Sequence, residues 1–291
     1  MIKSRLLLSM VLFIILIFIF NRFFIKSYSF TNEPIDCVIP CHEKDKVTLD
    51  FVIDGIKKNV KDLRRVVIVS SKPLTSKAEW FDEKNFSFSK YDIAFQIFKN
   101  ETEAKQFINH PETRIGWIFQ QFIKIYSVFV IPNISSNLLI VDADTIFLKP
   151  VEFLTPEGAG LYNPGTEFHE PYFTHLKRVI PNFKKVYPNY SGISHHMLFQ
   201  KCVLEEIFTL IKNIHKEDPF KVFCSKIDKA ELFDSCMCID YELYFNYVFS
   251  KTEQVKIRHL KWKNTPYLSK LEKYKEDGYD YVSCHEWLRE E

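Results

Sequence analysis

Asp142 and Asp144 stand two residues apart directly after Leu138-Leu139-Ile140-Val141, a run without a polar side chain. Such a run reads as a strand buried on both faces, central to a parallel sheet. In open α/β sheets, ligands gather at the carboxyl ends of the strands, where this pair falls. An extended D-x-D points both carboxylates the same way, so that they can converge on one ion. A hard divalent cation, Mn²⁺ or Mg²⁺, takes few protein carboxylates and completes its shell with water and phosphate oxygens. Bridging a diphosphate, it would neutralise the charge that builds there as the diphosphate leaves. The bland alternative is a pair of turn aspartates closing a strand.

The elements needed to position this pair are legible on either side of it. Ile35–Pro40 is a short apolar run stopped by proline and reads as a buried strand. Val47–Val60 carries Leu49, Val52, Ile53, Ile56 and Val60 at helical spacing, and Arg65–Val69 reads as a second strand. Strand, helix and strand in this order make a βαβ unit with parallel pairing. Lys72–Lys90 is expected to be an irregular loop and Ala94–Phe98 a further strand. Ile115–Val130 predicts a mostly buried helix with one polar stripe of Gln120, Gln121 and Lys124. Leu161-Tyr162 and Ile193–Phe199 read as strands, Val203–Ile214 and Tyr241–Phe249 as helices. The fold class expected is α/β with a mainly parallel sheet flanked by helices, as one domain over residues 35–291.

The amino end differs. Leu6–Phe20 holds no charge, and extension through Ile25 gives about 20 residues, enough to span a bilayer with Arg22 snorkelling. Residues 1–26 are therefore expected to be a signal anchor, with a cleaved signal peptide as the alternative and 27–34 as a short stem. The protein would be single-pass, its body luminal or extracytoplasmic. There the sequons at Asn85, Asn100, Asn133 and Asn189 would be usable.

Composition removes several classes. Lys+Arg 39 against Asp+Glu 37 leaves a net charge of +2, without the basic excess of a nucleic-acid binder. Only 7 glycines occur, with no dinucleotide fingerprint or P-loop. Seven cysteines, with no C-x-x-C, read as mostly buried thiols with at most one or two bridges.

The blocks I-D-C-V-I-P at 35–40, G-W-I-F-Q-Q-F-I-K at 116–124, L-I-V-D-A-D-T-I-F-L-K-P at 139–150 and D-Y-E-L-Y at 240–244 together resemble GT-A-fold, D-x-D-containing nucleotide-sugar glycosyltransferases. They are most similar to a poorly characterised glycosyltransferase-like family of microbial and viral proteins that shares the D-A-D-T block. The resemblance spans residues 35–290. It implies a nucleotide-sugar donor, a metal ion at Asp142 and Asp144, and transfer of the sugar to a hydroxyl of a glycan, protein or lipid acceptor. Ile39–Asp45 would then meet the base and ribose, with Pro40, His42 and Asp45 as the contacts. A late histidine joins the metal in some such enzymes, which suggests His285 here.

The implied reaction passes through an oxocarbenium-like sugar and, for inversion, needs a base near the acceptor. Asp240 and Glu242 are the candidate bases, although acids at a helix start are also favoured by the helix dipole. His195, beside His196, could face the donor sugar or acceptor; a polar edge strand with solvated histidines is the alternative. Gln121 and Lys124 could reach the phosphates or the base, or satisfy buried backbone groups instead. Two other classes remain open: another metal-dependent diphosphate enzyme (a nucleotidyltransferase or nucleotide-sugar hydrolase) and a non-catalytic binding module of the same fold.

Overall fold

The computed structural model describes residues 25–289. The apolar stretch expected to anchor the chain, up to Phe24, lies outside them. Among the described residues, no helix is long and apolar enough to cross a membrane.

The core is a mixed α/β arrangement around a five-stranded sheet of order β3-β2-β1-β4-β7. Its strands are β1 (Ile35–Pro40), β2 (Leu63–Ser70), β3 (Glu79–Asp82), β4 (Asn137–Val141) and β7 (His196–Gln200). The first four run parallel, and β7 pairs antiparallel with β4. β1 and β4 are buried along their whole length, so every side chain on either face is covered, as their unbroken apolar runs require. A smaller sheet of order β5-β10-β9 joins β5 (Thr145–Phe147) to β10 (Tyr281–Ser283) and β9 (Trp262–Asn264). The pair β6 (Leu161–Tyr162) and β8 (Lys256–Ile257) completes the strands.

Helix α1 (Lys46–Asn59) follows β1 and buries Leu49, Val52, Ile53 and Ile56. Gly55 lets it cross the strand beyond the aspartates, since a Cβ there would stand 2.8 Å from the Phe147 carbonyl oxygen. Helices α2 (Lys90–Phe98), α3 (Glu101–Asn109) and α4 (Ile115–Val130) lead into β4. Beyond it come α5 (Glu170–Val179), α6 (Lys201–His215), α7 (Pro219–Ser225), α8 (Tyr241–Lys251) and α9 (Leu271–Glu276).

Three expectations need correcting. Ala94–Phe98 is the end of a helix, not a strand. The Ser89 hydroxyl accepts from the Asp92 amide while the Asp92 carboxylate accepts from the Ser89 amide, a capping box that starts α2 ahead of a short apolar run of ambiguous period. The Lys72–Lys90 loop contains β3, which forms the sheet edge. The strand expected from Ile193 begins only at His196. Residues before it are held in a bend, where a Cβ on Gly192 would meet the Tyr241 carbonyl oxygen at 2.3 Å.

All seven cysteines are free thiols, and all but Cys202 are buried, so no bridge forms among them. The four sequon asparagines are exposed. The segment ahead of β1 docks on the body. Lys26 pairs with Glu206 at 2.7 Å, Tyr28 donates its amide to Gln254 and its hydroxyl to Glu206, and Asn137 donates to the carbonyls of Thr31 and Glu33.

Asp36, fully buried in β1, staples the lower end of the sheet. Burial pushes its carboxyl up, but hydrogen bonds from Arg64 (2.7 and 2.5 Å), the Ser135 amide (3.0 Å) and Arg65 (3.1 Å) outweigh this and hold it below its ordinary value. A depressed carboxyl stabilises the fold above its unfolded value and loses that contribution as pH falls. Asp36→Ala is expected to lower stability at pH 7 by about 3 kcal/mol, at the low end for a buried pair because both arginines are partly solvated. In urea titrations the gap from the wild type should close as pH drops through the carboxylate range. A gap of the same size at every pH would show that packing, not the ion pair, is lost.

Candidate active site

The Asp-Ala-Asp turn is held by its own closing hydrogen bond and by contacts from three other parts of the chain. The Asp142 amide donates to the His195 carbonyl at 2.9 Å, and the Thr145 amide closes the turn on the Asp142 carbonyl at 3.0 Å. The Thr48 hydroxyl of α1 is placed 2.8 Å from the Ala143 carbonyl oxygen, and the Cys284 amide donates to the Asp144 carbonyl at 2.8 Å. His195 reaches its position with φ of 62°, a left-handed conformation uncommon outside glycine but tolerated by histidine.

Behind the first aspartate lies a buried charge cluster. Lys124, only 4% exposed on α4, places Nζ 2.8 Å from Asp142 Oδ1 and 3.1 Å from Asp240 Oδ2. Its ammonium also stands 4.2 Å from the ring centroid of Tyr241, whose hydroxyl donates to Asp142 Oδ1 at 3.0 Å. Burial alone would lower the lysine's pKa, but the two carboxylates overcome it and push the pKa up. Asp240 also accepts from the Tyr241 amide at 2.8 Å and from the Cys238 thiol at 3.2 Å.

The second aspartate has its own partners. Asp144 Oδ2 stands 2.8 Å from His285 Nδ1, and Oδ1 accepts from Ser283 at 3.0 Å. Burial pushes the Asp144 carboxyl up, but His285, by hydrogen bond and by charge, brings it below the ordinary range. Burial pushes His285 down, and Asp144 more than reverses this.

Both aspartates open onto a cleft of about 680 Å³ whose lining includes Pro40, His42, Asp45, Asp142, Asp144 and His285. Six of the sequence candidates therefore line one cleft. The lining also includes Arg114, Trp117 and Gln120 at the start of α4. Trp287, 76% exposed, lies at the rim with its ring stacked 5.5 Å from His285 at 12°. The amino-terminal loop and the carboxyl-terminal segment are latched together, Arg289 to Asp45 at 2.8 Å and Lys44 to Glu286 at 2.5 Å. Burial raises the Asp45 carboxyl despite its arginine.

The remaining candidates do not line the cleft. Asp240 is committed to Lys124. Glu242 is fully buried, accepting from the Gly192 amide at 3.1 Å and from Asn246 at 2.8 Å, and burial raises its carboxyl to about 7. Neither carboxylate lines the cleft. Gln121 takes the backbone reading, bridging the Met237 carbonyl (3.2 Å) and the Ile239 amide (2.9 Å) and so fixing the segment that carries Asp240. Its neighbour Gln120 faces the cleft instead. Lys124 takes neither reading offered for it. His195 is buried, its ring 5.1 Å from that of His285 and 4.8 Å from that of Trp262, and burial lowers its pKa.

Tyr241, Ser283, Trp287 and Arg289 went unread in the sequence. Ser283 was within reach: it precedes His285 by two residues, and in extended chain both point the same way. Tyr241, between two acids, was masked by them.

No protein-family model and no curated protein matches the chain. Among solved structures it is similar to mouse xyloside xylosyltransferase 1 in its apo form, with a TM-score of 0.38 and 12% identity over 86% of this chain and 96% of that one. At that distance the likeness supports no assignment of function.

Lys124→Met would leave two carboxylates buried against each other without their cation. A loss of about 3–5 kcal/mol is expected in urea unfolding at pH 7. The raised lysine pKa means that this contribution persists from neutral pH up to the unfolded value near 10.5 and fades only in strong alkali. A loss below about 1 kcal/mol would show that Asp142 and Asp240 do not depend on Lys124.

Proposed function

We propose that this chain is a metal-dependent glycosyltransferase that moves a sugar from a nucleoside-diphosphate sugar to an acceptor hydroxyl. The observation that carries the reading is that Asp142, Asp144 and His285 line one cleft at the carboxyl ends of β1 and β4, with Asp144 and His285 in direct contact. The sequence blocks that resemble GT-A glycosyltransferases contribute Pro40, Asp142 and Asp144 to that cleft, together with Trp117 and Gln120.

The donor set suits an ion that arrives with a diphosphate. Among the described residues, no group of three or more His, Cys, Asp or Glu side chains is gathered tightly enough to cage an ion by itself. Yet the 2.8 Å between Asp144 Oδ2 and His285 Nδ1 is close to the ~3 Å separating neighbouring ligands on an octahedral ion with ~2.1 Å bonds. The partners of Asp142 both fall on Oδ1. Mn²⁺ or Mg²⁺ held by Asp142, Asp144 and His285 would supply Lewis-acid stabilisation of the leaving diphosphate.

The chain's own residues contribute the rest. Lys124 and Tyr241 restrain Asp142 from behind, and Ser283 restrains Asp144, so neither carboxylate need reorganise as charge develops in front of it. Pro40, His42 and Asp45 line the end of the cleft where β1 gives way to α1, the expected position of the nucleoside. Asp240 positions Lys124 and does not meet the acceptor. The membrane anchor expected from Leu6–Phe20 belongs to the same proposal and would hold the transferase body beside a bilayer.

The test is release of nucleoside diphosphate by the purified full chain from a panel of nucleotide-sugars, with Mn²⁺ or with EDTA. Turnover of at least one donor is expected, abolished by EDTA and reduced by about 10²–10³-fold or more in Asp144→Asn, which should keep its circular-dichroism spectrum. Release that never transfers sugar to any glycan, protein or lipid acceptor would favour the nucleotide-sugar hydrolase. Undiminished turnover in Asp144→Asn would overturn the metal assignment.

A further inference from the structure

Away from the cleft lining, two basic side chains with unpartnered buried nitrogens pack on the same ring. His196 on β7 is 2% exposed, and neither of its ring nitrogens has a partner among the described residues. Arg258, just past β8, buries Nε, Nη1 and Nη2, again without a partner among the described residues. Both pack on Phe153, the guanidinium carbon 4.9 Å and the His196 ring 5.5 Å from its centroid. Phe147 and Tyr281 meet His196 near-perpendicularly, at 5.3 Å and 70° and at 5.0 Å and 89°.

The neighbouring acceptors are engaged elsewhere. The Tyr281 hydroxyl donates to the Ser194 carbonyl and accepts from Asn163. Asp280 and Glu152 act on Arg258 only through space, since Asp280 accepts from the Lys261 amide at 2.7 Å and Glu152 pairs with Lys61 at 2.8 Å. A guanidinium has five donor hydrogens and no acceptor, and its burial without a counter-charge is strongly unfavourable. Its contact with Phe153 recovers only part of that.

We propose that Arg258 and His196 bind a small monoatomic anion, chloride under physiological conditions, in the aromatic pocket formed by Phe147, Phe153 and Tyr281. The choice of ion follows from donor counting. A water molecule brings two hydrogens that need acceptors, and beside the imidazole nitrogen the nearby Ser194 carbonyl already accepts from Tyr281. A halide accepts only, which suits a guanidinium, an imidazole N–H and the positive edges of aromatic rings. A metal cation would meet the arginine's charge and is excluded by it. The site bears on the cleft through covalent neighbours: His196 follows His195, whose carbonyl holds the Asp142 amide, and Tyr281 precedes Ser283, which holds Asp144.

The experiment is thermal unfolding of the full chain in sodium chloride and in sodium gluconate at equal ionic strength, with bromide as a third salt. Chloride and bromide should each raise Tm by roughly 3 °C or more over gluconate at saturation, and Arg258→Met should abolish that difference. Anomalous scattering from crystals of the wild-type protein grown in bromide should give a peak within contact of Arg258, a measurement that stands even if Arg258→Met does not fold. Equal Tm in all three salts, or a bromide peak absent from this pocket, would overturn the proposal and leave water as the partner of both side chains.

Discussion

The arrangement of the cleft depends on one buried cation. Lys124 lies on the buried side of a mostly apolar helix, and an ammonium that deep is held there by carboxylates. Its two partners come from distant parts of the chain, Asp142 from the end of β4 and Asp240 from the start of α8. Helix, strand and second helix are therefore joined at a point that tolerates little movement. The same contact sets the electrostatics of the cleft wall, because Asp142 faces outward already half neutralised from within. A phosphate-bearing ligand approaching that wall meets less repulsion than two free carboxylates would present.

A comparable economy marks the other side of the floor. Asp144 is drawn toward His285 and Ser283, both from the last strand and the turn after it, while Arg289 returns to Asp45 near the beginning of the domain. The two ends of the fold thus meet at the cleft mouth. Trp287 stands exposed on that junction, stacked on a histidine that itself touches the second aspartate.

The sequence disclosed these features unequally, for physical reasons. β1, α1, β2, α4 and β4 were readable almost to the residue, because buried parallel strands give unbroken apolar runs and amphipathic helices give a clear 3.6-residue period. The aspartate pair could be found because it interrupts such a run at a strand's carboxyl end. What could not be read was direction. Gln120 and Gln121 are adjacent on one helix, yet one faces the cleft and the other clamps the backbone of residues 237–239. Asp240 and Glu242 have the composition of surface acids at a helix start, and only tertiary packing reveals both as interior groups. Ala94–Phe98 went astray for a local reason, since its helix is announced by a capping box five residues upstream and not by its own short run.

The docked segment ahead of β1 gives the molecule a mechanical design. Lys26 and Tyr28 clasp Glu206 on α6, while the Lys26 amide and Gln254 bind that segment to the carboxyl end of α8. The amino end of α8 begins beside Asp240, the partner of Lys124. A tether attached ahead of Ile25 would pull on a braced bracket, and the body would keep one attitude toward whatever it is moored to. The strut that takes the strain is also the one that abuts the floor of the cleft.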